Sequence, residues 1–452
     1  MSEPVPHAHD GRSRRAWVVD VNMGYGHSRA AFALRDLAGG EVVTANDYPG
    51  IPASDRGWWR RTRILYELIS RLKPVPVIGS ALFGMMDDLQ RIPEFYPRRD
   101  LSRPIIQVRA IYDSINRGFG RHLIEQLARH PLPLVTTFFT VAFFADVHDY
   151  PGDIYCITTD ADVSRAWAPL DPKRSRITYI ASNGRVVERL KLYGVQEERI
   201  ILTGFPLPKE LVGGEQAVFA KRQLMARICN LDPEGIFMTR YAETIGHELG
   251  REYCSPPKDR HPLTMMYSVG GAGAQRRLGV EIMRGLRHKI ARRELRFVLS
   301  SGTRQDVAAY YRRAAEDLHL HDALGESLLI PLFESRPAYF SGFNRLLETT
   351  DILWTKPSEL SFYTGVGLPI IIAPPIGSQE KFNRVWLQYV GGGVPQGDPR
   401  YASEWLFDWI DSGGVARMAW NGYIEAPTHG TYRIEDLVLG RKSPLPNLPL
   451  IV

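Results

Sequence analysis

The sequence predicts an α/β protein of two Rossmann-like domains, each wound around a parallel sheet. Three observations carry this. The chain has 452 residues, more than one hydrophobic core usually spans. Short β-branched or apolar runs bounded by Gly, Pro or Asp recur along it in two separate sets. Helical patterns lie between the members of each set, and such alternation argues for parallel βαβ units.

In chain order, the first set is Trp17–Val21, Leu134–Phe139, Ile154–Thr158, Arg176–Ile180 and Ile200–Thr203. Helical patterns at Ser28–Leu37 and Gly184–Tyr193 each follow one of these strands. The second set is Leu263–Val269, Leu295–Ser300, Leu328–Phe333, Ile352–Thr355 and Pro369–Ala373, again interleaved with helices. Between the sets, Thr203-Gly204-Phe205-Pro206-Leu207-Pro208 closes a strand in a turn that cannot continue as helix or central strand. The expected organisation is therefore a flexible N-terminus over 1–15, a first domain over 16–208 and a second over 209–452. Residues 209–260 read as a helical lead-in to the second sheet.

Composition narrows the function. Hydrophobic residues make up 44% and charged residues 23%, which excludes a disordered chain. Cys156, Cys229 and Cys254 are far apart with no C-x-x-C pair, so neither a disulfide framework nor a thiolate zinc site is expected, and a reducing cytoplasm fits. The first residues lack the apolar stretch of a secretory signal, and no window approaches the uninterrupted apolar length of a spanning helix. A net charge of +6 leaves room for an anionic partner, whether nucleotide, nucleic acid or acidic lipid.

Four motifs carry candidate chemistry. Asp20-Val21-Asn22-Met23-Gly24-Tyr25-Gly26-His27 is a strand, a glycine turn and the start of an Ala-rich helix, which aims His27 at the carboxyl edge of a sheet. A histidine there suits a general base, and the alternative is a turn residue that only caps the helix. Thr158-Thr159-Asp160-Ala161-Asp162 ends another strand of the same sheet, where Asp160 is placed to orient His27, to bind an acceptor hydroxyl or simply to cap the next helix. Tyr267-Ser268-Val269-Gly270-Gly271-Ala272-Gly273-Ala274-Gln275 repeats the strand, glycine turn and helix design, suited to a diphosphate. It departs from G-x-G-x-x-G, so a nicotinamide cofactor is weakly supported. The richest stretch runs from Thr355-Lys356-Pro357-Ser358-Glu359 through Gly367-Leu368-Pro369 to Gln379-Glu380-Lys381-Phe382-Asn383. Carboxylates and amides at successive strand ends suit ribose or sugar hydroxyls.

At these residues the chain resembles the glycosyltransferase family that includes monogalactosyldiacylglycerol synthase and the N-acetylglucosaminyltransferase that makes lipid II. Gly24-Tyr25-Gly26-His27 is similar to that family's G-G-G-H turn, Thr159-Asp160 to its strand-ending T-D, and Thr203-Gly204-Phe205-Pro206 to its T-G-x-P. Asp351 to Asn383 resembles its D-x-x-x-T-K…G-L-P-I-I…G-Q-E-x-x-N donor signature. The resemblance implies the GT-B architecture, two Rossmann-like domains facing a central cleft, and inverting transfer from a nucleotide sugar with no obligatory metal or cofactor; the expected donor is UDP-linked. It implies His27 as catalytic base, Gly271 and Gly273 as the phosphate turn, and Gln379, Glu380 and Asn383 as donor ligands. Where the family places a ribose-binding Glu, five residues before the G-L-P glycine, this chain has Phe362, and Glu359 stands in as the candidate. With Gln275 and Lys356 these complete the expected donor site. Competing readings are a sugar-nucleotide 2-epimerase of the same architecture and a nucleotide-sugar or anionic-lipid binding protein without chemistry.

On the acceptor side, Arg56 to Lys73 carries six basic residues and one acid in an amphipathic helical pattern, followed by an apolar stretch. Trp58, Trp59, Arg60 and Arg63, with Gly24 and Gly26, are the candidates for a lipid acceptor and an anionic membrane surface, at the inner face of the membrane. The alternative is a helix packed on its own sheet. Aromatic and basic residues also interleave here, but no nucleic-acid motif accompanies them, and no nucleic-acid partner is expected.

Overall fold

The computed structural model describes residues 13–61, 92–254, 261–270, 273 and 275–450. Most of the expected flexible N-terminus lies outside these. The chain divides into two compact units. One comprises Met1–Pro206, Gly377–Phe382 and Gly430–Val452, the other Leu207–Ile376 and Asn383–His429.

The first unit is built on six parallel strands: β1 (Trp17–Asp20), β2 (Val43–Thr44), β3 (Leu134–Thr136), β4 (Ile154–Ile157), β5 (Thr178–Ala181) and β6 (Ile200–Leu202). Their order is β2-β1-β3-β4-β5-β6. Successive side chains on a strand point to opposite faces. Trp17, Val19, Leu134, Ile154, Cys156 and Tyr179 accordingly enter one core, whereas Val18, Val135, Ile157 and Ile180 enter another. Burial on both faces explains why these strands read as continuous apolar runs. The second of these cores is closed by Ala31 and Leu34, near the end of helix Tyr25–Ala33, and by Ile434 and Val438 of helix Gly430–Val438.

The second unit carries β7 (Thr264–Ser268), β8 (Arg296–Ser300), β9 (Leu328–Leu329), β10 (Ile352–Thr355), β11 (Ile370–Ile372) and β12 (Gly393–Pro395), all parallel. The order β12-β11-β10-β7-β8-β9 is the doubly wound Rossmann order. Met265, Tyr267, Phe297, Leu299, Ile352 and Trp354 share one core. The predicted lead-in contains helices Val218–Leu231 and Ile236–Leu249, and Leu224, Ile228 and Leu231 of the first pack into that core. The edge strands β2 and β12 carry two and three residues and escape the sequence pattern, while the predicted strand Leu328–Phe333 shortens to its first two residues.

One buried cation organises the second unit. Arg227 on helix Val218–Leu231 is fully enclosed, and its guanidinium donates to the carbonyls of Thr350 (2.9 Å), Val366 (2.7 Å) and Leu347 (3.1 Å). Leu347 ends helix Arg336–Leu347 and Val366 ends the 3-10 helix Glu359–Val366, so the cation meets the negative ends of two helices. Burial lowers its pKa to about 10, and it stays charged. Next to Thr350, Asp351 accepts from the Thr264 N–H (2.8 Å) and from Asn230 Nδ2 (3.2 Å), joining β10, β7 and the same helix. Burial pushes the Asp351 carboxyl up to about 7, against the pull of its hydrogen bonds and of Arg227.

Two predictions follow from this cluster. Arg227→Met leaves three helix-end and loop carbonyls unpaired and should destabilise the second unit by about 3 kcal/mol or more, read by urea unfolding. The Asp351 pKa is higher folded than unfolded. Its stabilising contribution is therefore full below about pH 4 and lost as pH rises through about 7. Asp351→Asn removes that dependence, so the Tm of the variant minus that of the wild type should rise from pH 5 to pH 8 in calorimetry. A flat difference would contradict the assignment.

Candidate functional site

In the first sheet the winding reverses at β1, with β2 on one side and β3 on the other. Parallel sheets take ligands in the crevice outside the strand ends at such a point. Past β1, the Asn22 N–H donates to Asn46 Oδ1 at 2.8 Å. Gly24 then has φ +110°, which L side chains rarely adopt, and this lets the chain pass from strand into helix Tyr25–Ala33 within four residues. Gly26 and His27 are the second and third residues of that helix.

His27 Nδ1 lies 2.7 Å from the carbonyl of Thr137, just past β3. A carbonyl only accepts, so Nδ1 donates and Nε2 is the basic nitrogen of the neutral ring. Thr159 Oγ1 is 3.4 Å from the same Nδ1. The Phe138 ring meets the imidazole edge-on at 4.9 Å, with Trp167 at 6.3 Å. Three successive strand ends, those of β1, β3 and β4, thus fix the ring's tautomer and orientation.

The T-T-D-A-D turn divides its groups among several partners. Its Thr159 hydroxyl is the group set against Nδ1. Asp160 is half-buried, and its backbone carbonyl accepts from Ser182 Oγ at 2.8 Å. Asp162 is fully buried as the anchor of Arg189, bonded to Nε (2.9 Å) and Nη2 (2.8 Å), with Arg185 Nε at 3.2 Å. The turn is thereby locked to helix Gly184–Leu192.

The basic segment starts as helix over 53–61. Trp59 is a core residue, 5% exposed and packed on Phe119, Phe138 and Phe144, whereas Trp58 stacks on Phe119 and stays 37% exposed. Consecutive helical residues lie about 100° apart, so Trp59 can turn into the core while Trp58 stays at its edge, both against Phe119. Arg60 is exposed. Arg63 and the rest of the expected amphipathic pattern lie outside the described residues.

The second sheet reverses between β7 and β10, whose ends are tied by a hydrogen bond from Thr355 Oγ1 to the Ser268 carbonyl at 3.3 Å. The turn after β7 is closed by Gly273 N–H to the Gly270 carbonyl at 2.8 Å, and Gly273 has φ +69°. Gly271 lies outside the described residues. Lys356, leaving β10, crosses this turn: its Cε is 3.0 Å and its Nζ 3.8 Å from where a Cβ on Gly270 would stand. Gln275 precedes helix Arg276–Gly285, accepts from Tyr267 Oη at 2.9 Å and donates its side-chain amide to the Pro374 carbonyl at 2.8 Å.

Glu359 opens the 3-10 helix Glu359–Val366 and is 8% exposed. Phe362, at the position where the resemblance calls for Glu, is buried and packs on Trp386 at 4.8 Å. Gln379 and Glu380 stand in the first turn of helix Ser378–Tyr389. Asn383, one turn on, is fully buried and donates from Nδ2 to the Pro357 carbonyl at 3.2 Å, which holds the Lys356–Glu359 loop to that helix. Sequence reasoning singled out neither Thr137 nor Phe138, because a backbone carbonyl and an apolar ring leave no motif. Among the described residues no group of three or more His, Cys, Asp or Glu could hold a metal ion, and no helix is long and apolar enough to cross a membrane.

No family model matches the sequence, and no curated protein matches it. Solved structures do match. The chain is similar to MurG of Acinetobacter baumannii, at 11% identity over 94% of this chain and 99% of that one, with a TM-score of 0.46. It is similar to the UDP-GlcNAc 2-epimerase of Neisseria meningitidis bound to UDP-GlcNAc, at 10% identity over 94% and 100%, with a TM-score of 0.44. It is likewise similar to the glycosyltransferase SnogD of Streptomyces nogalater, at 15% identity over 94% and 100%, with a TM-score of 0.40.

Proposed function

We propose that this protein is an inverting glycosyltransferase that uses a nucleotide sugar, UDP-linked, with His27 as its base and Lys356 and Glu359 among its donor contacts. The observation that carries the reading is the bond from His27 Nδ1 to the Thr137 carbonyl, which makes Nε2 the basic nitrogen of a neutral ring at the carboxyl edge of the first sheet. In the reaction an acceptor hydroxyl gives its proton to His27 Nε2 as its oxygen bonds to the anomeric carbon. The bond from that carbon to the phosphate oxygen breaks, and its electron pair leaves with the diphosphate. Lys356 and the N-terminal end of helix Arg276–Gly285 meet the charge that develops there. Glu359 is the candidate for the ribose hydroxyls, and Gln379 and Glu380 for the sugar. Asn383 and Gln275 act chiefly by holding the loops that carry Lys356 and the turn. Asp160 is assigned to an acceptor hydroxyl. No step calls on a metal.

His27→Ala should lower kcat by about a hundredfold or more while leaving UDP affinity unchanged, and unchanged turnover would remove His27 from the mechanism. Donor incubated alone distinguishes transfer from epimerisation: isomerised sugar in the absence of acceptor would favour the epimerase reading.

We also assign the acceptor side to an anionic lipid surface. Arg56, Arg60 and Arg61 are exposed beside the partly exposed Trp58 on helix 53–61, a composition suited to acidic headgroups. Vesicles containing phosphatidylglycerol should sediment the wild type at low salt, and Arg60→Glu with Arg61→Glu should release it. Equal sedimentation of both proteins, or of neither, would overturn the assignment.

A further inference from the structure

The reading of the second unit as a nucleotide-sugar site leaves one cluster at its edge without a role. Arg304 follows β8 and lies against the glycine turn at the end opposite Lys356. Its Cζ is 3.6 Å and one guanidinium nitrogen 3.8 Å from where a Cβ on Gly273 would stand. It forms a two-point ion pair with Asp306, Nε to Oδ1 and Nη2 to Oδ2 both at 2.9 Å, and Arg276 Nη1 reaches the same carboxylate at 3.3 Å. All three side chains are about half exposed. Arg276 is also the first residue of helix Arg276–Gly285, whose positive end lies at this turn.

We propose that Arg304, with Arg276 beside it, is the diphosphate-binding cation of the second unit, and that Asp306 is its resting counter-ion, displaced when a nucleoside diphosphate enters. This rests on the nucleotide-sugar reading and adds residues to it. Four features of the cluster favour it. A guanidinium that grips a carboxylate at two points presents the same fork to two phosphate oxygens. The ion pair to be broken is about half exposed, so water meets its groups as it opens. Asp306 lies in the first turn of helix Gln305–Asp317, so its carboxylate keeps a favourable partner after Arg304 leaves it. Two arginines against one aspartate leave the trio at net positive charge. With Lys356 at Gly270 and Arg304 at Gly273, cations from two different strand ends flank one turn.

The test is calorimetric titration of wild type, Arg304→Gln and Asp306→Asn with UDP and with uridine, which shares the base and ribose but carries no phosphate. Arg304→Gln should weaken UDP binding by about ten- to a hundredfold and leave uridine binding unchanged. Asp306→Asn should tighten UDP binding and steepen its salt dependence. If the wild type binds UDP and Arg304→Gln binds it equally well, or if Asp306→Asn weakens it, this inference falls while the nucleotide-sugar reading stands. If the wild type binds neither UDP nor uridine, that reading falls and the inference with it.

Discussion

The constraint on which both units depend is the handedness of the crossover between parallel strands. A right-handed connection places its helix on one face when the sheet is wound in one direction and on the other face when the direction reverses. In the first sheet the reversal falls beside β1, and in the second between β7 and β10. There the chain segments leaving adjacent strands part to opposite faces, and polar backbone at the strand ends stays accessible. His27 with the Thr137 carbonyl stands at one such place, and Gly270 with Lys356 at the other. The candidate residues are located by topology first and by side chains second.

Within that frame the structure divides its basic residues sharply. A cation taken out of water is costly unless its donors are matched. Arg227 is matched by three carbonyls and Arg189 by Asp162. Arg165 likewise donates to the carbonyls of Ser102, Ala168 and Pro169. These arginines are committed to holding helix ends and loops. Lys356 and Arg304 lie against glycines, where the missing Cβ leaves room for a side chain and for whatever it binds. The buried cations thus tie helix ends and loops to the strand ends, while Lys356 and Arg304 remain less buried.

Much of this was legible in the sequence, for a physical reason. Strands buried on both faces and turns that demand glycine leave local signals, so β1, β3, β7 and β10, the Gly24 turn and the Gly273 turn could all be read directly. Long-range pairing leaves none. Nothing in Gly430–Val438 announces that Ile434 and Val438 cover the first sheet, because any amphipathic helix would suit any apolar face. The Thr137 carbonyl that fixes His27 is backbone and has no residue type. Trp58 and Trp59 read alike in a composition, and only the helix phase separates the exposed one from the buried one. Cross-strand positions such as Thr159 against His27 depend on strand order, which the alternation of strands and helices leaves open.

The donor motif shows why polar residues in such a stretch are hard to sort. A loop carbonyl inside a protein needs a donor, and loops have no ladder to supply one. Pro357 and Pro374 sit in such loops, and their carbonyls are satisfied by the amides of Asn383 and Gln275. Those two residues, expected as ligand contacts from the sequence, each donate to a loop carbonyl in the structure. The glycines of the turn divide in the same way. Gly273 is required by its backbone, at φ +69°, while Gly270 is not among the positive-φ glycines and instead gives room to Lys356, whose Cε is 3.0 Å from where its Cβ would stand. One letter in the sequence thus stands for two different demands.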